Sequence, residues 1–350
     1  MTNPKRISVG PVGEHIALAR WGEDSSGKPP ALLLHGTGFV AEVWDEVARE
    51  LASRYTVYAL DRRGHGDSHK PAADRYHFQD FAEDLCRVIE ALDLSDIFGI
   101  GHSAGATDLL LAAKLLPKRF SRLFVMEPTV MDPRAIRADG AGLSDRSTAA
   151  VQSVLRRQAE FESAETVFQR YRAAPAFATW SESSLRAYIR HGFAPLSDGR
   201  VRLLCTPEIE SAITLRICEA MEQVYTGDDR GNPFAWLTEI DCPVCVATTE
   251  QSWPIYKMMA SRAVALVPQV SEWHFRRGRS LRRPRRSKTS AWCPANIRSE
   301  TPLDPSSTNS PAPCQRFTQG VRRLKFSHAR ALKAQDHRWW HTIPGREWSS

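Results

Sequence analysis

The sequence predicts an α/β protein: a mostly parallel sheet covered by helices on both faces, an inserted helical stretch, and a basic tail. Three observations carry this. Short apolar runs alternate with amphipathic stretches from Ala31 to Met126, and strands buried on both faces read as near-continuous apolar runs. The strand pattern stops over 134–235 and returns at Asp241–Ala247. From Arg276 the composition changes abruptly. The tail holds 17 Lys/Arg against 4 Asp/Glu, so the +7 net charge of the chain hides an acidic body with 30 basic and 36 acidic residues.

In chain order, Arg6–Val9 and His15–Ala19 read as a hairpin across a glycine turn. Ala31–Leu34 is a buried strand that ends in His35-Gly36-Thr37-Gly38. Val43, Trp44, Val47 and Leu51 share one helix face. Thr56–Leu60 is the next strand, followed by Asp61-Arg62-Arg63-Gly64-His65-Gly66-Asp67-Ser68. Phe81, Leu85, Val88, Ile89 and Leu92 then mark an amphipathic helix. Ile97–Ile100 is a strand and 106–113 a helix, and between them lies Gly101-His102-Ser103-Ala104-Gly105. A G-x-S-x-G at a strand-to-helix junction is a nucleophile elbow. The sharp turn needs small residues beside the serine. It lifts the Ser103 hydroxyl off the end of the sheet and aims the Ala104 N–H at a substrate oxygen. Leu123–Met126 is the strand after it.

The inserted stretch reads as helices, among them 146–160, 181–191 and 206–224, with its aromatics mostly serving as its own core. A helix near 254–264 and a last strand, Val270–Phe275, follow. Pro, Ser and Thr dominate after Arg286 with no sustained hydrophobic period, the texture of disorder. No apolar run is long enough to span a membrane, and no signal-peptide pattern stands at the N-terminus. Seven cysteines without disulfide-like spacing fit a reducing cytosol, so a cytoplasmic location is expected. Cys242-Pro-Val-Cys245 lies in a strand-like run and reads as core rather than a redox or metal pair. The arginines of the tail come with no aromatic platform, so a nucleic-acid-binding role is not expected.

The order hairpin, H-G-x-G, D-R-R-G-H-G-x-S, G-H-S-x-G resembles the α/β-hydrolase superfamily, in its esterase and carbon–carbon-bond hydrolase branch, over roughly residues 5–275. The resemblance implies a core of 1–133 and 236–275, a helical cap of 134–235 over the active site, and a 276–350 tail foreign to the fold. It implies a serine hydrolase for a small ester or a related acyl or carbon–carbon substrate, with Ser103 as nucleophile. The oxyanion would be held by the Ala104 N–H and one from the loop after His35-Gly36, at Thr37 or Gly38. A catalytically impaired ligand binder is the alternative. This chemistry needs no cofactor, and no metal cluster or nucleotide loop is visible. The orienting acid is open between Glu127, after Leu123–Met126, and Glu250, because Ser252 stands where such proteins usually carry an aspartate. The base is expected in a glycine-rich loop just after the last strand. His274 is the one candidate nearby, but it sits within that strand. Arg276–Leu281 can be encoded so that a one-base shift reads Gly-Gly-Ala-Gly-His, so a frameshift after Phe275 is a second expectation.

Overall fold

A computed structural model describes residues 3–22, 27–130, 132, 143–225, 227–228 and 234–275. The tail expected over 276–350 and residues 134–142 at the start of the insertion lie outside the described residues. Among those described, eight strands form one sheet: β1 (Lys5–Val9), β2 (Ile16–Trp21), β3 (Pro30–Leu34), β4 (Thr56–Leu60), β5 (Ile97–His102), β6 (Phe120–Met126), β10 (Val244–Thr249) and β11 (Val270–Phe275). Their spatial order is β1-β2-β4-β3-β5-β6-β10-β11. The β1–β2 and β2–β4 pairs are antiparallel and the remainder parallel.

Alternation along the strands divides the core between two faces. One face carries Leu33, Ala59, Ile100, Phe124, Ala247 and Trp273 and is covered by α1 (Asp45–Leu51) and by aromatics of the insertion. The other carries Leu32, Leu34, Leu60, Val125, Val246 and Val270. It packs against α2 (Phe78–Ala91), α3 (Ala104–Leu115) and α8 (Pro254–Leu266) through Leu85, Ile89, Leu109, Leu110, Met259 and Ala263. Cys242 and Cys245 pack into clusters on opposite faces, so they do not face each other as a pair. α2 begins with a capping box in which the His77 N–H donates to Asp80 Oδ2 at 2.9 Å.

The insertion between β6 and β10 holds α4 (Leu143–Leu155), α5 (Ala164–Ala173), α6 (Glu182–Gly192) and α7 (Pro207–Tyr225). It differs from expectation in one respect. Glu160, expected to end a helix over 146–160, instead begins β7 (Glu160–Phe161) in a three-stranded antiparallel sheet with β8 (Phe193–Pro195) and β9 (Val201–Leu203). Strands of two and three residues are too short to show a period of two, so pairing across the chain decides their conformation. Tyr171, Phe177 and Tyr188 stack at 4.6 to 6.2 Å between ring centroids, with Trp180 and Phe193 around them. These aromatics pack on one another, as expected of the insertion's own core, and are continuous with the cluster on the sheet face through Phe39. No helix among the described residues is long and apolar enough to cross a membrane.

Candidate active site

The junction of β5 and α3 positions Ser103. Its backbone sits at φ 52°, ψ −125°, a sparsely populated region for a non-glycine residue, and such strain persists only where neighbours enforce it. The neighbours are identifiable. The Ser103 N–H donates to Met126 O at 3.0 Å, and Ser103 O accepts from the N–H groups of Ala106 and Thr107 at 3.0 and 3.2 Å. A methyl group on Gly101 would lie 2.7 Å from Ala106 Cα. One on Gly105 would fall against the His35 carbonyl oxygen and 2.7 Å from Leu34 O. Both glycines are therefore demanded by close approach of backbone. A methyl on Gly36 would sit 3.1 Å from His102 Nδ1 and 3.3 Å from Ser103 Cβ, so the loop after β3 lies directly against the serine.

Two buried histidines hold that loop. His35 Nδ1 bonds Gly36 O at 2.7 Å and its Nε2 accepts the Arg62 N–H at 3.2 Å. His65 Nδ1 bonds Arg63 O at 2.9 Å and its Nε2 accepts the Gly38 N–H at 2.8 Å. A backbone N–H can only donate, so each Nε2 is unprotonated and each Nδ1 carries the hydrogen. Burial, then the Arg62 cation, pushes His35 down to about 3. Burial, His35 and Arg62 hold His65 well below the usual histidine range. Both rings stay neutral and fully used, in keeping with the structural role read from the sequence. Of the two N–H groups expected as oxyanion donors from this loop, Thr37 and Gly38, that of Gly38 is committed to His65. Ala104 opens α3, where first-turn N–H groups lack an intrahelical acceptor.

The surrounding charges are paired. Arg62 grips Asp108 with two hydrogen bonds, 2.5 and 3.2 Å, lies 4.0 Å over the Phe81 ring and reaches Thr37 Oγ1 at 3.4 Å. Arg6 joins Glu42, Asp61 and Asp67, each at 2.6 Å. Burial and then the Asp61 carboxylate push Glu42 up to about 7, with Arg6 opposing. The insertion reaches the same region: Tyr188 on α6 donates to Gly38 O at 2.9 Å, Phe39 packs on Trp180 and Tyr188, and the Ser181 hydroxyl bonds Glu46 at 2.8 Å.

The acid candidates separate cleanly. Glu127 follows β6 at φ 46° and is buried, with its N–H bonded to Ala247 O at 3.2 Å. Its Oε1 accepts a hydrogen bond from the hydroxyl of Ser252, at the end of the neighbouring β10. Glu250 is exposed, its carbonyl bonded to Lys257 Nζ at 2.8 Å. His274 pairs in register with Thr248 and bonds its hydroxyl at 3.1 Å. That places it on the sheet face that carries Val246 and Val270, three strands from β5, or roughly 14 Å at the usual strand spacing. The structure thus brings together Ser103, Gly36, Thr37 and Ala104 at one strand end and Glu127 with Ser252 two adjacent strand ends along. His274 stands on β11, beside Thr248 of β10 and three strands along from β5. Sequence reading missed three connections: Tyr188 to Gly38, Arg62 to Asp108, and Ser252 to Glu127. Only the last had a sequence signal, a serine where an acid was expected.

No group of three or more His, Cys, Asp or Glu among the described residues is arranged to hold a metal ion. A family model described as the α/β-hydrolase fold matches residues 29–197. Among curated proteins, 2-(acetamidomethylene)succinate hydrolase of Mesorhizobium japonicum is 32% identical over 113 residues, 32% of this chain and 38% of that protein. Non-heme chloroperoxidase of Kitasatospora aureofaciens is 35% identical over 98 residues, 28% of this chain and 34% of that protein. The chain thus spans under half the length of the curated relatives it matches. The crystal structure of E-2-(acetamidomethylene)succinate hydrolase superposes with a TM-score of 0.61 at 19% identity, covering 78% of this chain and 91% of that one. With the sheet order, the strained serine between β5 and α3 and the matched segment in agreement, the chain has the α/β-hydrolase fold.

Proposed function

We propose that the protein is a serine hydrolase acting on a small ester or a related acyl or carbon–carbon substrate. The observation that carries this is the conformation of Ser103, held at φ 52° against Gly36 at the head of α3. In the proposed reaction Ser103 Oγ adds to the substrate's carbonyl carbon and its proton passes to a base. The N–H groups of Thr37 and Ala104 stabilise the oxyanion. The leaving group departs with a proton, and water then releases the acyl group from Ser103. Glu127 is the acid that orients the base, in preference to Glu250, because a buried carboxylate next to the elbow strand is held in one place and an exposed one is not. The insertion serves as the cap. The acetamido group in the name of one relative supports an acyl substrate.

A second reading, a ligand binder with impaired catalysis, is favoured by one specific observation. Among the described residues, His35 and His65 are committed to backbone, and His274 lies in a strand remote from Ser103. A fluorophosphonate probe on the full chain tests the first reading. Ser103 should be the labelled residue, and Ser103→Ala should abolish labelling while leaving the circular dichroism unchanged. Labelling that survives that substitution would refute it. Turnover of a chromogenic short-chain ester separates hydrolase from binder.

A further inference from the structure

The turn that ends β10 faces the residue that ends β6, and the hydrogen bonds between them run in one direction. Ser252 Oγ accepts the Thr249 N–H at 2.7 Å, and the Ser252 N–H closes the same turn onto Thr249 O at 3.0 Å. The serine oxygen accepts from the Thr249 N–H, and its own hydrogen, with Glu127 Oε1 and, at 3.4 Å, Thr249 Oγ1 in reach, goes to the nearer carboxylate oxygen. Both partners are buried, at 4% and 3% exposure, so water does not compete for either. The Glu127 backbone is fixed at the same time by its left-handed φ and by its N–H on Ala247 O.

We propose that Ser252 is a positioning residue for Glu127: the orienting carboxylate of this enzyme stands at the end of β6, and the end of β10, where a serine stands in place of an acid, holds it in position. This rests on the reading of Glu127 as the orienting acid. The hydroxyl fixes one carboxylate oxygen and favours the ionised form, since a hydrogen bond donated to a carboxylate stabilises its charge. A carboxylate has about four lone-pair sites, so one such bond leaves capacity for a base. The arrangement also disfavours an acid at position 252. Two carboxylates at hydrogen-bonding distance in a buried site cannot both ionise without a large penalty.

The test uses the full chain with two readouts. Carbon-13 NMR follows the Glu127 carboxyl, assigned by its loss in Glu127→Gln, and intact-mass spectrometry follows the rate at which Ser103 reacts with a fluorophosphonate. Ser252→Ala should raise the Glu127 titration midpoint by about one pH unit or more and slow labelling about tenfold. Ser252→Thr, which keeps the hydroxyl, should restore both. Ser252→Asp should slow labelling, and the exchange Glu127→Ser with Ser252→Asp should recover part of it. A Glu127 titration in Ser252→Ala that matches the parent, with Glu127→Gln slow to label, overturns the role of Ser252 alone. A Glu127→Gln chain that labels as fast as the parent overturns the acid assignment and, with it, this proposal.

Discussion

Gly105→Ala sets two effects of opposite sign against each other. Gly105 lies in the first turn of α3, and alanine in a helix is favoured over glycine by about 1 kcal/mol. On propensity alone the variant would be more stable. Its new methyl, however, would meet the carbonyl oxygens of Leu34 and His35, with the Leu34 oxygen at 2.7 Å, whereas real Cβ atoms essentially never come within 3.0 Å. These oxygens cannot retreat cheaply, because β3 is paired on both sides and His35 is locked by its two ring bonds. Overpacking of this kind costs about 1–3 kcal/mol, and more where the neighbour is backbone. We expect the collision to win, with a net loss of about 2 kcal/mol and a fall in melting temperature of about 4–8 °C. Ser103 labelling should slow by more than stability alone explains, since the displaced loop carries Thr37. Gly199→Ala is the control. Its φ of 87° strains an alanine by about 1–2 kcal/mol, but nothing lies within 4 Å of the added methyl, so labelling should not change. Urea unfolding with the labelling assay measures both. A Gly105→Ala chain as stable as the parent would refute the steric account of the elbow.

Three further outcomes follow from the same geometry. Glu42, pushed up to about 7 in the fold, keeps its proton to higher pH when folded than when unfolded, where it ionises near 4.5, so its contribution is lost as pH rises from 4.5 to 7. Relative to the parent, Glu42→Gln should therefore gain on the order of 2–3 kcal/mol between pH 5 and 8 in urea titrations. The comparison is made as a difference because His35 and His65 run the other way, losing stability as pH falls below 6.5. Tyr188→Phe removes the bond to Gly38 O and should cost about 1 kcal/mol in unfolding and slow Ser103 labelling, whereas a change in stability alone would place Gly38 outside the site. Sequencing codons 274–282 tests the frameshift expectation: a shifted frame that gives Gly-Gly-Ala-Gly-His predicts that restoring it raises ester turnover by orders of magnitude, and a frame that gives no histidine refutes it.

The elbow was legible from sequence because sterics leave it few residues: Gly101, Gly105 and Gly36 each face backbone or side chain at contact distance, so the composition of the turn reports its shape. The main strands were legible for a similar reason, being buried on both faces and so continuously apolar. The contact between Ser252 and Glu127 was not, because it depends on β6 and β10 being neighbours. Residues 127 and 252 are 125 positions apart, and no local pattern records that a serine of one touches a glutamate of the other. The Arg62–Asp108 pair is hidden in the same way, across 46 positions. The engagement of the Gly38 N–H rests on a single ring nitrogen of His65, which sequence could place in the loop but not aim.

Gly38 has both backbone polar groups engaged, its N–H by a histidine of the core and its carbonyl by a tyrosine of the insertion. The insertion is therefore not an interchangeable module. A chimera that grafts a foreign insertion onto this core removes a strut from the loop that lies against Ser103. Redesign of the specificity of this protein should keep the phenol at position 188 fixed and vary the insertion around it.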